Sequence, residues 1–170
     1  MDRTRTRLAV VAGTTLAIAL AAPVALAGRP HSILEFETMV GVTAGLTGAQ
    51  SQAPLRGLSG GGIPWTLSRA KGSLDSAGNL KIEVTGLVLA SGANAGTNPI
   101  ATFKGLVSCV NADGSFSNIA TGTFPATTGP ATAGGGNADI EATVTLPSPC
   151  IAPIVFVTSS GGSWFAATGN

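Results

Sequence analysis

Few residues of this chain have side chains that could carry out catalysis. The single histidine is His31, and the two cysteines are Cys109 and Cys150. Residues 57–61, G-L-S-G-G, match the G-x-S-x-G elbow of α/β-hydrolases, which sets a serine between a strand and a helix, with Asp and then His downstream. His31 lies upstream, and no helical pattern follows the motif. We therefore do not expect Ser59 to be a nucleophile.

Two pairs of carboxylates could serve glycoside hydrolysis, which uses two acidic side chains on either side of the scissile bond. Glu35 and Glu37 form one pair, and Asp139 and Glu141 form the other, each at a spacing of two residues. Alternate residues of a strand share a face, so each pair shares one. The apolar residues between them occupy the opposite face. The pattern predicts solvent-facing charges rather than an active site.

Metal ligands are also scarce in this sequence. Besides His31 and the cysteines, only carboxylates and amides remain, and there is no H-E-x-x-H motif. Residues 111–115, N-A-D-G-S, resemble a calcium loop, but the glycine comes too early for an EF-hand and no Glu closes it. We interpret them as a hairpin turn. The sequence predicts no metal site, no cofactor and no enzyme activity.

The two tryptophans favour a binding role more than the acidic residues do. Trp65 follows G-G-G-I-P and Trp164 follows G-G-S, so each stands just after a glycine-rich segment. A tryptophan can stack its flat face on a sugar ring or an apolar ligand, which gives the alternative hypothesis of carbohydrate or small apolar ligand binding. The favoured interpretation is that each ring lies in the core, with its indole N–H bonded to a backbone carbonyl.

Residues 1–27 have the organisation of a secretory signal peptide. Three arginines lie within the first seven residues, residues 8–22 form an uncharged apolar stretch, and A-L-A ends at Ala27. Cleavage is predicted between Ala27 and Gly28. The alternative is a membrane anchor, but an apolar stretch of this length is shorter than a bilayer requires. The prediction is a secreted, extracellular chain with no membrane span after cleavage.

The predicted mature chain, residues 28–170, carries six basic and seven acidic side chains. A nucleic-acid partner is not expected, because that binding needs clustered cations that displace counterions. An extracellular glycan or protein is the partner class that remains. The basic residues are instead scattered along the sequence: Arg29, Arg56, Arg69, Lys71, Lys81 and Lys104.

Cys109 and Cys150 are predicted to form one disulfide, since an even pair in an exported chain is most simply bridged. The bridge would close a loop of about 42 residues, which the chain-entropy account associates with about 4 kcal/mol of stabilisation. A redox-active pair would more often be spaced Cys-x-x-Cys. The role predicted for the pair is therefore structural.

Short apolar runs alternate with turn residues throughout the predicted mature chain, a pattern typical of an all-β domain. Ala138, Ile140, Ala142, Val144 and Leu146 are predicted to share one face of a strand. Two further runs are predicted to alternate in the same way. The apolar face of the first comprises Leu34, Phe36, Val40 and Val42, and that of the second comprises Leu80, Ile82, Val84 and Val88.

Turn signals predict hairpins around residues 75–79, 111–114 and 159–162. Seven or eight strands result, and two half-apolar sheets would bury their faces against each other. The predicted fold is a single antiparallel β-sandwich with immunoglobulin-like or jelly-roll order; a small β-barrel is the alternative. Two long glycine-rich connections, residues 43–62 and 122–137, are either functional or, as we favour, flexible surface loops.

Five segments of the chain form a distinctive combination: G-G-G-I-P-W at 60–65, T-G-L-V-L-A at 85–90, V-S-C at 107–109, L-P-S-P-C-I-A-P-I-V-F-V at 146–157 and S-W-F-A at 163–166. In this combination the chain resembles small secreted bacterial proteins of the actinobacterial type, a group to which no function is attached. The resemblance covers most of residues 36–169, transfers no catalytic residue, and implies that these segments form one domain. The sequence thus predicts a secreted, non-enzymatic module of the cell envelope or extracellular space, with a structural or binding role.

Overall fold

The computed structural model describes residues 29–48 and 54–169, and the fold over these residues is all-β. The predicted signal peptide and its cleavage site between Ala27 and Gly28 lie outside the described residues. No helix within the described ranges is long and apolar enough to cross a membrane. The strands are β1 Ser32–Phe36, β2 Met39–Gly41, β3 Trp65–Thr66, β4 Arg69–Asp75, β5 Asn79–Thr85, β6 Val88–Leu89, β7 Thr97–Asn98, β8 Thr102–Val110, β9 Phe116–Ala120, β10 Phe124–Pro125, β11 Gly129–Pro130, β12 Ala138–Thr143, β13 Ile151–Thr158 and β14 Trp164–Thr168.

Two larger antiparallel sheets contain most of these strands. One has four strands in the order β1-β4-β5-β12. The other has the order β10-β8-β13-β14-β2, and β9 also pairs with β8. The three hairpins predicted from turn residues are confirmed, since β4 pairs with β5, β8 with β9, and β13 with β14.

The four-stranded sheet follows directly from alternation in the sequence. Leu80, Ile82 and Val84 of β5 are buried, while the residues between them point to the other face. In β12, Ile140 lies opposite Ile82 and is buried as well. The predicted apolar face of residues 138–146 is confirmed over β12, although the strand ends at Thr143 and residues 144–146 continue outside it.

The core lies between the inner faces of the two sheets. A Cβ atom added to Gly105 of β8 would lie 3.0 Å from Leu80, 3.1 Å from Ile82 and 3.2 Å from Ile140. Side chains of β5 and β12 therefore reach the backbone of the other sheet at this point. The result is a β-rich, sandwich-like fold in which buried side chains of both sheets belong to one cluster.

The predicted disulfide is confirmed. Cys109 of β8 is bonded to Cys150, the residue before β13, and their Cα atoms are 4.9 Å apart. Since β8 and β13 are neighbours in the sheet, the bridge joins two strands that already pair. It constrains the unfolded chain more than it shapes the sheet.

The described residues contain fourteen strands, more than the seven or eight predicted. Eight of them have five residues or more, and β2 has three. The other five strands have two residues each and lie in connecting segments: β3, β6, β7, β10 and β11. The sequence pattern misses such strands because two residues are too few to show alternation.

The alternation predicted through residues 34–42 is wrong at Val40. Val40 is 57% exposed, whereas Met39 and Val42 are buried. The reason is a bend between β1 and β2, which belong to different sheets. The alternation restarts after that bend, so the inward positions of β1 do not predict those of β2.

The glycine-rich connection of residues 122–137 is an ordered part of the fold rather than the flexible loop favoured from the sequence. The N–H of Gly135 donates to the Pro130 carbonyl oxygen, and the N–H of Leu87 donates to that of Gly136. Gly135 and Gly136 are buried. This connection packs onto the segment between β5 and β8.

Candidate functional site

The outward face of the four-stranded sheet collects most of the charged side chains of the described chain. Row by row, the register places Glu35 beside Ser73, then Lys81, then Glu141. The neighbouring row contains Lys71, Glu83 and Asp139. We call this surface the charged face, and its ionic members are Glu35, Glu37, Arg69, Lys71, Asp75, Lys81, Glu83, Asp139 and Glu141.

Cross-strand ion pairs neutralise much of the charged face. Lys81 donates a hydrogen bond to Glu141 on the neighbouring strand, and this bond raises the pKa of Lys81. Lys71 Nζ lies 2.8 Å from Glu83 Oε2, and the hydrogen bond lowers the pKa of Glu83. Opposite charges facing each other across strands stabilise a sheet modestly. The main role of these ion pairs is therefore to let charged side chains occupy the solvent-facing side of the sheet without repulsion between neighbouring strands.

The carboxylate pairs considered for glycoside hydrolysis both lie on the charged face. A glycosidase needs one carboxylic acid whose pKa is raised so that it can donate a proton. Here Glu141 accepts a hydrogen bond from Lys81, and Arg69 Nη2 lies 3.9 Å from Glu37 Oε2, so one member of each pair is already paired with a cation. Asp139 stands opposite Glu83 on the same open face. The arrangement favours a solvated surface over an acid and base pair.

Two shallow hollows lie on the charged face, and both are open to solvent. The larger is about 480 Å³ and is lined by Asp75, Asn79, Lys81 and Glu141 among others. The smaller is about 230 Å³ and includes Glu35. Small-molecule sites are usually concave and mostly apolar, with a few polar groups that converge on the ligand. Both hollows are open and are lined by charged side chains, so they fit contact with a macromolecule better than the enclosure of a small substrate.

Trp65 is in the core. It is 5% exposed and stacks on Phe165 of β14 with ring centroids 4.1 Å apart. Phe103 of β8 meets it edge-on at 6.5 Å. This aromatic cluster lies against Gly61, where an added Cβ atom would be 2.9 Å from Phe165 and 3.0 Å from the indole nitrogen of Trp65. The Trp65 ring is therefore part of the packed core.

Trp164 is also buried, with 3% of its surface exposed. Its Nε1–H donates to the carbonyl oxygen of Leu58 at 3.2 Å, and its ring meets Phe156 edge-on at 5.9 Å. The predicted bond between an indole N–H and a backbone carbonyl is confirmed for Trp164. Neither tryptophan offers a ring face to a ligand in this structure. Trp164 contacts the first glycine-rich connection, a proximity that the sequence does not predict.

Ser59 lies in the part of that connection which runs beside β14. Its carbonyl oxygen accepts a hydrogen bond of 3.1 Å from the Trp164 N–H, and Gly61 donates 2.8 Å to the Trp164 carbonyl. Trp65 begins a strand a few residues later, so no helix follows Ser59 among these residues. His31 is exposed just before β1 of the four-stranded sheet, and its backbone N–H donates to the Ser76 hydroxyl. The elements of a nucleophile elbow do not surround Ser59.

Residues 111–115 form the turn between β8 and β9, as interpreted from the sequence. Asp113 Oδ1 accepts hydrogen bonds from the Ser115 N–H at 2.9 Å and from its hydroxyl at 2.6 Å. These bonds lower the pKa of Asp113. Within residues 29–48 and 54–169, no group of three His, Cys, Asp or Glu side chains is arranged to hold a metal ion.

Arg56 is a contact residue that the sequence does not reveal. Its guanidinium lies 5.1 Å from the centre of the Phe116 ring, and its Nη2 donates to the Ala152 carbonyl oxygen at 2.9 Å. The Asn118 side chain donates to the Arg56 carbonyl oxygen. Arg56 therefore fastens the first glycine-rich connection to the outward face of β9 and β13. No pattern in the sequence indicates these contacts. Arg56 also has a φ of 55°, a left-handed conformation in which glycine would be expected.

Comparison of the chain with protein-family models, with curated proteins and with solved structures returns no match.

Proposed function

We propose that the protein is a secreted, non-enzymatic β module of the cell envelope or extracellular space, with a structural or binding role. In this proposal the strands have the order of a single two-sheet sandwich, which folds after the signal peptide is cleaved between Ala27 and Gly28. The disulfide between Cys109 and Cys150 supports an oxidising environment. A chain that is exported before it folds meets that condition.

One observation carries the proposal: charged side chains lie on an open sheet face and are largely paired with each other. Within the described ranges there are three ion pairs on this face: Lys71 with Glu83, Lys81 with Glu141, and Arg69 with Glu37. They include three of the six acidic residues of the charged face. A catalytic site needs polar groups that converge on one point in a cavity. The charged face spreads them over a surface instead, which fits contact with a macromolecule.

Ligand binding through Trp65 and Trp164 is the second candidate, and burial of both rings counts against it. Tryptophan emission separates the two proposals. The mature protein should be titrated with soluble extracellular glycans and with an apolar dye, while the emission maximum is followed. We expect no saturable shift from either titrant. A saturable shift that Trp164→Phe removes, in a variant with unchanged thermal unfolding, would replace the surface module by the ligand binder.

A further inference from the structure

One edge of the strand β9 is not paired with any strand within residues 29–48 and 54–169. Thr121 N–H donates to the Gly105 carbonyl at one end of the β8–β9 ladder, and Asn111 N–H donates to that of Ser115 at the other. Hydrogen-bonded pairs alternate along an antiparallel ladder, so Ser117 and Ile119 direct their backbone groups toward β8. The remaining residues of β9 direct theirs away from it.

Those outward groups belong to Phe116, Asn118 and Ala120, and all three residues are exposed. Within the described part of the chain, no backbone hydrogen bond uses the N–H or C=O groups of these residues. Phe116 is 51% exposed, the second most exposed of the large apolar side chains after Val40. An uncharged edge of this kind is a template for another strand.

The edges formed by β1, β12 and β2 carry features that discourage pairing. In the four-stranded sheet, β1 contains Glu35, and β12 contains Asp139 and Glu141. In the six-stranded sheet, the backbone just beyond β2 is covered, because the Trp65 N–H donates to the Val42 carbonyl oxygen at 2.9 Å. Natural edge strands are commonly protected by charged side chains, Pro or covering segments. By contrast, the five residues of β9, F-S-N-I-A, include neither a charge nor a proline. The first glycine-rich connection contacts β9 through side chains, since Arg56 lies against the Phe116 ring and its carbonyl oxygen accepts a hydrogen bond from the Asn118 side chain.

We propose that β9 pairs with β9 of a second copy of this chain, in antiparallel orientation about a two-fold axis at Asn118. Asn118 then faces Asn118 of the second copy, and Phe116 faces Ala120. Up to about six backbone hydrogen bonds form, because each strand supplies three outward N–H and three outward C=O groups. This inference rests on the proposed function, a module that acts through surface contacts, and it identifies the partner as a second copy of the chain.

Charge supports a second copy as the occupant. A two-fold axis places identical residues near each other, so it tolerates a neutral strand and penalises a charged one. Pairing β12 with itself would bring Asp139 and Glu141 close to the same carboxylates of the copy, whereas the five residues of β9 carry no charge. Phe116 would also cover the small Ala120 across the strands, which is a favourable cross-strand pair.

Charge placed at the axis tests both the partner and the register. The mass of the mature chain should be measured by sedimentation equilibrium at increasing concentration, for wild type and for Asn118→Lys and Asn118→Glu. We expect a concentration-dependent dimer in the wild type. Each charged variant should weaken it by about tenfold or more, and an equimolar mixture of the two should restore it, because opposite charges then face each other.

Ala77→Lys is the matched control, since Ala77 is an exposed turn residue at the end of the other sheet. It adds the same charge away from β9 and should leave the dimer unchanged. Restoration by the mixture shows that the charged variants fold. A wild-type chain that stays monomeric at every concentration would overturn the proposal, and so would a dimer indifferent to charge at residue 118. Either result leaves the tryptophan titration unaffected, so the two proposals fail separately.

Discussion

The side-chain Nδ2 of Asn98 donates a hydrogen bond of 2.8 Å to the backbone carbonyl oxygen of Thr127. The same nitrogen donates to the Ile100 carbonyl, and Asn98 Oδ1 accepts from the Ile100 N–H. Asn98 has no exposed surface. One buried carboxamide therefore joins the second glycine-rich connection to the segment before β8, and the connection is ordered because its backbone groups are satisfied there.

Replacing Asn98 by Ala should reduce the free energy of unfolding by about 2–4 kcal/mol, because backbone groups that lose their partner in the interior cost about 1–3 kcal/mol each. Urea unfolding of the mature protein measures this. Asn94→Ala is the control, since Asn94 is an exposed turn residue that lies away from β9. Equal losses in the two variants would show that Asn98 does not hold the connection.

Gly136→Ala and Gly92→Ala separate close packing from backbone strain. Both glycines have positive φ, 81° and 85° respectively. A Cβ atom at Gly136 would lie 2.3 Å from the Leu87 carbonyl oxygen, whereas one at Gly92 would meet nothing within 4 Å. Gly92→Ala should lower stability by about 1 kcal/mol and Gly136→Ala by at least about 2 kcal/mol more. Similar thermal shifts would mean that residues 134–137 move away easily.

Breaking the bridge between Cys109 and Cys150 should lower the free energy of unfolding by about 4 kcal/mol, the entropy of closing a loop of about 42 residues. Urea unfolding with and without a reductant measures the difference. The denatured, unreduced protein should also contain no titratable thiol. An unchanged urea midpoint after complete reduction would contradict a stabilising role.

Stability should fall in acid, because carboxylates are stabilised as anions by the folded chain. Asp75 has a lowered pKa, chiefly through the side-chain hydrogen bond from Asn79. A lowered folded pKa gives stability that is present above the unfolded pKa, about 4, and is lost as pH falls through the folded value. Asp75→Asn should therefore flatten the acid limb of the urea midpoint. An acid limb as steep as that of the wild type would contradict this.

Lys81 titrates in the opposite sense. Its pKa is raised by Glu141, so its contribution is complete below the ordinary lysine pKa and is lost as pH rises through the folded value. The effect should be small, since both side chains are mostly exposed. Lys81→Met should reduce the decline in urea midpoint at alkaline pH. A decline that is unchanged in the variant would assign it to other groups.

The sequence predicts strands well where alternation is regular and local. Ile140 and Ile82 are buried as their patterns indicate, because a sheet with one solvated face requires that alternation. It predicts Val40 wrongly, because the change of sheet between β1 and β2 is a tertiary event. The strands of two residues are too short to show alternation, and they depend on pairing partners far away in the chain, so the sequence does not predict them.

The candidate surfaces were harder to predict than the fold. That Glu35 and Glu141 face solvent follows from alternation, but the ion pair of Lys81 with Glu141 joins residues 60 positions apart and depends on register. Trp164 was correctly expected to donate its N–H to a backbone carbonyl. The contacts of Arg56 and the open edge of β9 have no local signature, because each arises from the way distant strands assemble.

We propose that the protein acts through its surfaces and not as an enzyme, and an assay of hydrolytic activity tests this proposal most directly. The mature protein should be incubated with chromogenic glycosides and esters beside three variants, Ser59→Ala, Glu35→Gln and Asp139→Asn. We predict the same background rate from all four proteins. Saturable turnover by the wild type that is lost in one variant of unchanged stability would contradict the claim.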